Sequence, residues 1–383
     1  MHDAVVVGGG PAGTITAGRL AKVHDVLVIE EHASSGLPMQ CAGLMTKDVI
    51  DMCGVRPDVL NKINGADVIF PCGGRFEVRS NMIKAMLIDR TDLDRKLAES
   101  AIDKGAEIRY GIRYSHHIVS ESAVSVSTDK GEVGSKLIIG ADGYGSKVAM
   151  SLGNNRPREY VYGIEADVKH CSEHDDVMTL RVGSEVAPGF FSWEIPFGDM
   201  TRVGLCISSG NTASPNEYLK RLLKVLGIEG DDVVSKYAGK IPLGGRPRSY
   251  GGRTLLIGDA AGQVKPISGG GLYPICKAAP ILEKTVTESL RENEVTSKHL
   301  AGYEKGWKKE IGRELSRGYR IRKMFTRLSD EDLKKIFKII DRDDTRSILN
   351  NIDLDNPSSV AYPILRNPQV GIRFLPIMLR AII

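Results

Sequence analysis

"AVVVGGGPAGTITAGRLAKVHDVLVIEE", residues 4–31, is the stretch whose reading decides the fold. Ala4 to Val7 is a short apolar run of the kind that forms a strand buried on both faces. Gly8, Gly10 and Gly13 follow in GxGxxG spacing, with Ala12 inside the same turn. Ile15 to Lys22 then reads as a helix, and Val26 to Ile29 as a second strand ending at Glu30. Each glycine has a physical task. The first makes the tight turn, the second lets backbone approach a pyrophosphate, and the third lets helix and strand pack closely. The pyrophosphate meets the helix N-terminus, where free N–H groups and the dipole favour anions. Glu30, 22 residues after Gly8, stands where an acidic side chain accepts from a ribose hydroxyl. The unit predicts a Rossmann-like fold holding a dinucleotide, with NAD and FAD both open.

Two later stretches bear on that choice. "SKLIIGADGYGSKVAM", residues 135–150, carries a strand over Lys136 to Ile139, then Asp142. "GGRTLLIGDAAGQVKPISGGGLYP", residues 251–274, carries a strand over Thr254 to Ile257, then Asp259. Both set Asp and Gly at a strand's carboxyl end, where ligands bind in open α/β sheets. Asp259 is the candidate acceptor for a ribityl chain. Gly269, Gly270 and Gly271 precede a helix starting near Leu272. Such an N-terminus suits a flavin's pyrimidine edge, where it stabilises the anionic reduced form.

GGGPAG, GADGYGS and GDAAG, in this order and spacing, resemble the FAD-binding fold of the aromatic hydroxylase and geranylgeranyl reductase superfamily. The resemblance covers residues 1 to about 300 and implies FAD. It also implies that Arg90, before the helix in "IDRTDLDRKLAESAIDKGAEI" (residues 88–108), reaches the cofactor. The bland alternative is a solvated arginine at a helix start. Tyr114 joins the cofactor-binding set. Where the hydroxylases carry Arg three positions after the second motif's Ser, this chain has Ser146, Lys147, Val148 and Ala149, which sets it apart from them.

"PGFFSWEIP", residues 188–196, resembles the PxxYxWxFP pattern of the geranylgeranyl reductases. Pro188, Trp193 and Pro196 match, while Phe191 stands for Tyr and Ile195 for Phe. In a strand Phe191, Trp193 and Ile195 share one face. That row either packs a core or lines a pocket for an isoprenoid chain, whose contacts are non-directional and scale with area. In "GLPMQCAGL", residues 36–44, Cys41 matches a family cysteine near flavin and substrate, and Ala42 and Gly43 bring backbone against the cofactor. A buried structural cysteine is the alternative. Tyr273 is a second, weaker catalytic candidate. Cys276, one turn on, reads as core.

The 383 residues suit two domains and a helical tail. The expected fold is α/β with an α+β substrate domain. A Rossmann-like FAD-binding domain (residues 1–59, 83–157 and 246–295) is interrupted by a mostly antiparallel sheet domain (60–82 and 158–245). That sheet lies across the flavin and carries one helix, Asn216 to Leu226. A helical region, 296–383, follows, and residues 280–293 read as an amphipathic helix. A net charge of +4 makes no case for nucleic acid. The six cysteines form no CxxC and no zinc spacing, so no metal is expected, and a reducing cytoplasm suits them. The N-terminus does not read as a signal peptide, and no run of about 18 apolar residues spans a membrane. The tail "VAYPILRNPQVGIRFLPIMLRAII", residues 360–383, is apolar, broken by Pro363, Pro368 and Pro376, and charged only at Arg366, Arg373 and Arg380. It suits peripheral contact with an anionic membrane face, or closure of a substrate tunnel or dimer interface.

The resemblance implies FAD-dependent reduction of geranylgeranyl double bonds in prenyl lipids, in archaeal ether-lipid biosynthesis. The sequence does not show which electron donor, reduced nucleotide, ferredoxin or deazaflavin, is used, and no second GxGxxG exists for a nicotinamide nucleotide. A flavin monooxygenase and a non-catalytic lipid-binding flavoprotein are the alternatives.

Overall fold

The computed structural model describes residues 1–349 except 154 and 212, together with 355 and 367–382. Residues 350–353 of the charged stretch, and Pro363, Arg366 and Ile383 of the tail, lie outside the described residues.

The first sheet is built on five parallel strands in the order Thr254–Leu256, Gly131–Gly140, His2–Val7, Val26–Glu30 and Glu107–Tyr110. Every residue of Val26–Glu30 is buried, which is why the sequence there is an unbroken apolar run. One face packs Val6, Val28 and Ile139 against the helices Pro11–Leu20 and Leu272–Arg291. The other packs Val5, Leu27 and Ile138 beneath the hairpin Tyr114–Val119 and Val124–Thr128. The first helix starts at Pro11, four residues ahead of the Ile15 expected from apolar pattern. Proline has the helical φ preset and lacks the N–H that would be orphaned at this position.

The second sheet has seven strands, ordered Val233–Leu243, Glu159–Val168, Met200–Ser208, Phe191–Phe197, Val177–Val182, Gly65–Ile69 and Arg75–Val78. All neighbours are antiparallel except Val177–Val182 with Gly65–Ile69. Ala166, Val168, Val203 and Leu205 face the helix Pro215–Val225. The alternate residues face the other way, toward the site. A three-stranded sheet of Leu44–Met45, Ala85–Ile88 and Val59–Ile63 crosses the divisions expected at 59/60 and 82/83.

Of the expected helix 280–293, residues 280–291 are the second part of the single helix Leu272–Arg291, which carries Pro280 inside it. Among the described residues four α-helices follow before the tail, Ser297–Trp307, Arg313–Phe325, Asp330–Ile340 and Asp343–Leu349, the first two joined by the π-helical turn Lys308–Gly312. The tail's Pro368–Ile382 is one helix within the expected helical region, and Pro376 sits inside it. Val370, Ile377 and Ala381 are buried, and Phe374 packs on a cluster with Phe70, Phe76 and Leu333. Arg373 pairs with Asp344 and Arg380 with Asp332. Among the described residues no helix is long and apolar enough to cross a membrane.

Candidate functional site

A cavity of about 950 Å³ is walled by the carboxyl ends of the parallel strands, the loop of residues 36–44, the loop of residues 268–271 and the inner face of the seven-stranded sheet. Its size falls within the range of small-molecule sites.

At the glycine-rich end, Gly8 has φ +107°, and a β-carbon there would stand 2.4 Å from the Ala141 carbonyl oxygen. At Gly13 a β-carbon would stand 1.9 Å from the Gly8 carbonyl oxygen. Gly13 is thus the contact between helix and strand and, unlike Gly8, Gly10 and Ala12, is not on the cavity wall. Above Gly10 there is open space, and the helix it opens has neither a side-chain cap nor an acid in its first turn. Its free N–H groups form a cradle for an anion. Glu30 is buried at the wall. Its Oε2 accepts from the Gly9 amide at 2.5 Å, while its Oε1 accepts from the His32 amide at 2.9 Å and lies 2.6 Å from His32 Nδ1, so the spare acceptor capacity is on Oε2.

Asp142 lines the cavity, but its carboxylate is engaged locally. It accepts from the Ser146 hydroxyl (2.5 Å) and the Val148 amide (3.1 Å) at the start of the short helix Lys147–Met150. Tyr114 is buried, with its hydroxyl 2.7 Å from His117 Nδ1. Arg90 opens the helix Arg90–Asp103 and is not a solvated helix-start residue. Its Nη2 donates to both oxygens of Asp94 at 2.9 and 3.0 Å, and it lies beside Cys41 on the wall. The Asp259 carboxylate accepts no hydrogen bond from the described residues and faces the cavity next to Gly271. Burial pushes its pKa up to about 6, with Arg90 and Arg246 pulling it back. Gly270, Gly271, Leu272 and Tyr273 line the same end, where Leu272–Arg291 also starts without a side-chain cap or acid.

Phe191, Trp193 and Ile195 sit together on the opposite wall, joined by Phe190, which stacks on Phe191 at 4.6 Å. Trp193 is half-buried, and its Nε1 has no hydrogen-bond partner among the described residues. The strands place Tyr237, Glu165, Gly204, Trp193 and Leu180 in one cross-strand row. Glu165 is buried. Desolvation raises its pKa to about 7, with Arg202 opposing and Asp167 adding to the rise. The loop carrying Cys41, Ala42 and Gly43 is pinned to this sheet by Arg202. Arg202 is held by Asp167 at 2.7 and 3.0 Å and donates to the Ala42 carbonyl at 2.9 Å. Cys276 is buried in a core cluster, 3.8 Å from the Cys53 sulfur.

Sequence reasoning missed Glu165, Asp167, Arg202 and Cys206. "YVYGIEADV" carries the signal: two carboxylates two apart in an otherwise apolar strand share its inward face.

A model of the FAD binding domain matches residues 1–292. A digeranylgeranylglycerophospholipid reductase of Methanothermobacter thermautotrophicus is 30% identical over 348 residues, 87% of this chain and 90% of that one. Another, of Methanococcoides burtonii, is 30% identical over 366 residues, 87% of this chain and 86% of that one. A geranylgeranyl bacteriochlorophyll reductase-like structure from Thermoplasma acidophilum superposes with TM-score 0.84 at 21% identity, covering 98% and 99% of the two chains. A halogenase in complex with phloroglucinol and FAD superposes at 0.70 and 15% identity, over 98% of this chain and 86% of that one, so the fold hosts other chemistries. The fold and site define an FAD-dependent oxidoreductase. The chain belongs to the geranylgeranyl reductase family of these flavoproteins. FAD fits the cavity on three observations: the open space above Gly10, the uncapped N-terminus at Leu272 and the unpartnered Asp259 carboxylate.

Proposed function

We propose that this protein reduces geranylgeranyl double bonds of a prenyl lipid, in the line of archaeal ether-lipid synthesis. One observation carries the reading: an aromatic and aliphatic wall, Phe190, Phe191, Trp193 and Ile195, shares a single cavity with the glycine-rich cradle and Asp259. The names of the reductase relatives support the same substrate class.

Gly8, Gly10 and Ala12 would take the pyrophosphate at the first helix, Glu30 a ribose hydroxyl and Asp259 the ribityl chain. Arg90, Tyr114, Asp142, Ala42 and Gly43 would complete the cofactor's surroundings. Gly270, Gly271 and Leu272 would offer free N–H groups to negative charge on the bound group. Bound and reduced, FAD supplies a hydride. An isolated trisubstituted alkene accepts one only as a proton reaches its other carbon, with positive charge growing at the tertiary centre. The apolar wall excludes water that would trap that charge and holds the chain by area. Cys41, beside Arg90, and Tyr273 stand on the same wall as candidates for the chemistry. Electrons come from a reduced nucleotide, a ferredoxin or a deazaflavin. Peripheral contact at the inner membrane face, where such a lipid would lie, is supported by Ile372 and Leu375, exposed on the C-terminal helix.

The test is anaerobic turnover of the purified flavoprotein on geranylgeranyl lipids. Saturated product formed without oxygen supports the reading. Oxygen-dependent hydroxylation would favour a monooxygenase instead.

A further inference from the structure

We propose that Glu165 is the general acid of the reaction, the residue that protonates the alkene carbon opposite hydride delivery. This rests on the prenyl reductase reading and adds to it a residue that the sequence motifs do not mark.

Glu165 is 4% exposed, lies on the cavity wall, and its Oε2 has no hydrogen-bond partner among the described residues. A buried carboxyl left unpaired is costly, so its persistence calls for an explanation. The register places it one residue from Trp193 across the sheet, with only Gly204 between. A β-carbon at 204 would stand 2.4 Å from the Trp193 ring and 2.7 Å from Glu165 Cβ, so the missing side chain lets carboxyl and indole share one space. The indole N–H favours the ionised carboxylate slightly, yet the two do not reach hydrogen-bond geometry. The acid therefore stands beside the wall that grips the isoprenoid, with a proton not committed elsewhere.

The charged and titratable groups around it are few. Arg202, on the adjacent strand Met200–Ser208, is doubly bonded to Asp167 on Glu165's own strand. Arg90 lies farther off on its helix, Cys206 is next on the inward face, and Tyr237 is the cross-strand partner on Val233–Leu243. Burial dominates and raises the pKa to about 7, so near neutral pH about half the molecules hold the proton. Three other carboxyls on the wall are also raised by burial: Asp94 is paired with Arg90, Asp142 accepts from Ser146 and Val148, and Asp259 stands against Gly271, away from the Trp193 wall.

The step balances. The Glu165 O–H bond breaks, and its proton joins the alkene π pair in a new C–H bond. The other carbon takes the hydride that the reduced cofactor supplies. Glu165 is left as a carboxylate facing Arg202, and a solvent proton restores it.

The experiment uses holoprotein, wild type, Glu165→Gln and Glu165→Asp, reduced anaerobically and mixed with a geranylgeranyl phospholipid in detergent micelles. Gln keeps the shape and loses the acid. It should retain FAD and the lipid-induced change in the flavin spectrum at the wild-type lipid concentration. Its flavin reoxidation should slow by about 10²- to 10⁴-fold, with partial rescue in Asp. The wild-type rate should fall about tenfold per pH unit above the acid's pKa, and the Gln rate should not. Independent of turnover, infrared titration of the oxidised holoprotein should show a protonated carboxyl lost near pH 7 in wild type and missing in Gln. A Gln variant at the wild-type rate would overturn the proposal. So would an unchanged pH profile, or rate loss that tracks lost FAD or lipid binding. Wild type inert toward every prenyl lipid would bring down the reductase reading itself, and the acid with it.

Discussion

Trp193 and Gly204 are cross-strand partners, and the Trp193 indole fills the space where any side chain at 204 would stand. The glycine is what lets a ring of this size lie along the sheet's inner face toward Glu165, instead of standing out into the cavity. Sheet geometry thus sets the shape of the aromatic wall.

Gly204→Ala tests that relationship. The new methyl would lie 2.4 Å from the ring, so the indole must move. Overpacking of this kind costs about 1–3 kcal/mol. We expect a modest fall in melting temperature, an intact flavin spectrum and a sharp loss of lipid turnover. Unchanged turnover would mean that the indole's position does not matter.

Trp193→Ala should cost well under the ~3–5 kcal/mol that a fully buried ring costs, because part of the ring already faces the cavity. Reduction of a geranylgeranyl lipid should drop sharply, since a shift of about 1 Å at the reacting carbons loses roughly a hundredfold in rate. Paired melting and rate measurements decide it. A large stability loss with unchanged specific activity would make Phe191–Phe197 an ordinary core strand.

Asp259 gives a pH prediction. Its folded pKa, about 6, lies above the unfolded value, so the fold disfavours the charged form. The cofactor-free protein bears that cost at neutral and alkaline pH and is relieved of it as pH falls toward the unfolded value. Asp259→Asn should therefore raise the melting temperature of the cofactor-free protein above pH 6 while weakening FAD retention. Wild-type retention should weaken as pH falls through about 6, when the acceptor is protonated. Retention that is flat with pH and unchanged in the variant would remove Asp259 from the cofactor's contacts.

Arg202→Met leaves Asp167 buried without its partner, which costs about 3–5 kcal/mol, and releases the Ala42 carbonyl. Arg202→Lys keeps the charge but not the two-pronged bond, and should fall between. Protease cleavage within residues 36–44 should rise in the same order. Equal cleavage in all three would show that the loop is held by other contacts.

The nucleotide half of this molecule was legible because its signals are local. Glycines, a following helix and an acid at fixed spacing are dictated by backbone geometry within about thirty residues. The lipid half was legible only as a row, Phe191, Trp193 and Ile195, since period-2 alternation says which residues share a face but not what that face meets. Glu165 and Arg202 went unread because their meaning depends on register with strands about forty residues away in sequence. The tail was legible as part of a helical region, but not that Pro376 would sit inside its helix, which packing of Val370, Phe374 and Ile377 stabilises.

Removing residues 367–383 should lower the melting temperature by uncovering Phe70, Phe76 and Leu333, and leave FAD bound. Liposome flotation of the truncated protein checks the membrane contact, which should weaken with Ile372 and Leu375 gone. Loss of FAD on truncation would instead favour a helix that closes the site.

The central claim is reduction of an isoprenoid double bond at this flavin site, and the most direct measurement is a single anaerobic turnover. The purified protein, its FAD reduced, is mixed with a digeranylgeranyl glycerophospholipid, and flavin absorbance and lipid mass are followed together. Flavin should be reoxidised in step with the lipid's gain of one pair of hydrogens, at one double bond, per flavin. A flavin that stays reduced beside unchanged lipid, and reoxidises only when oxygen is admitted, would contradict it.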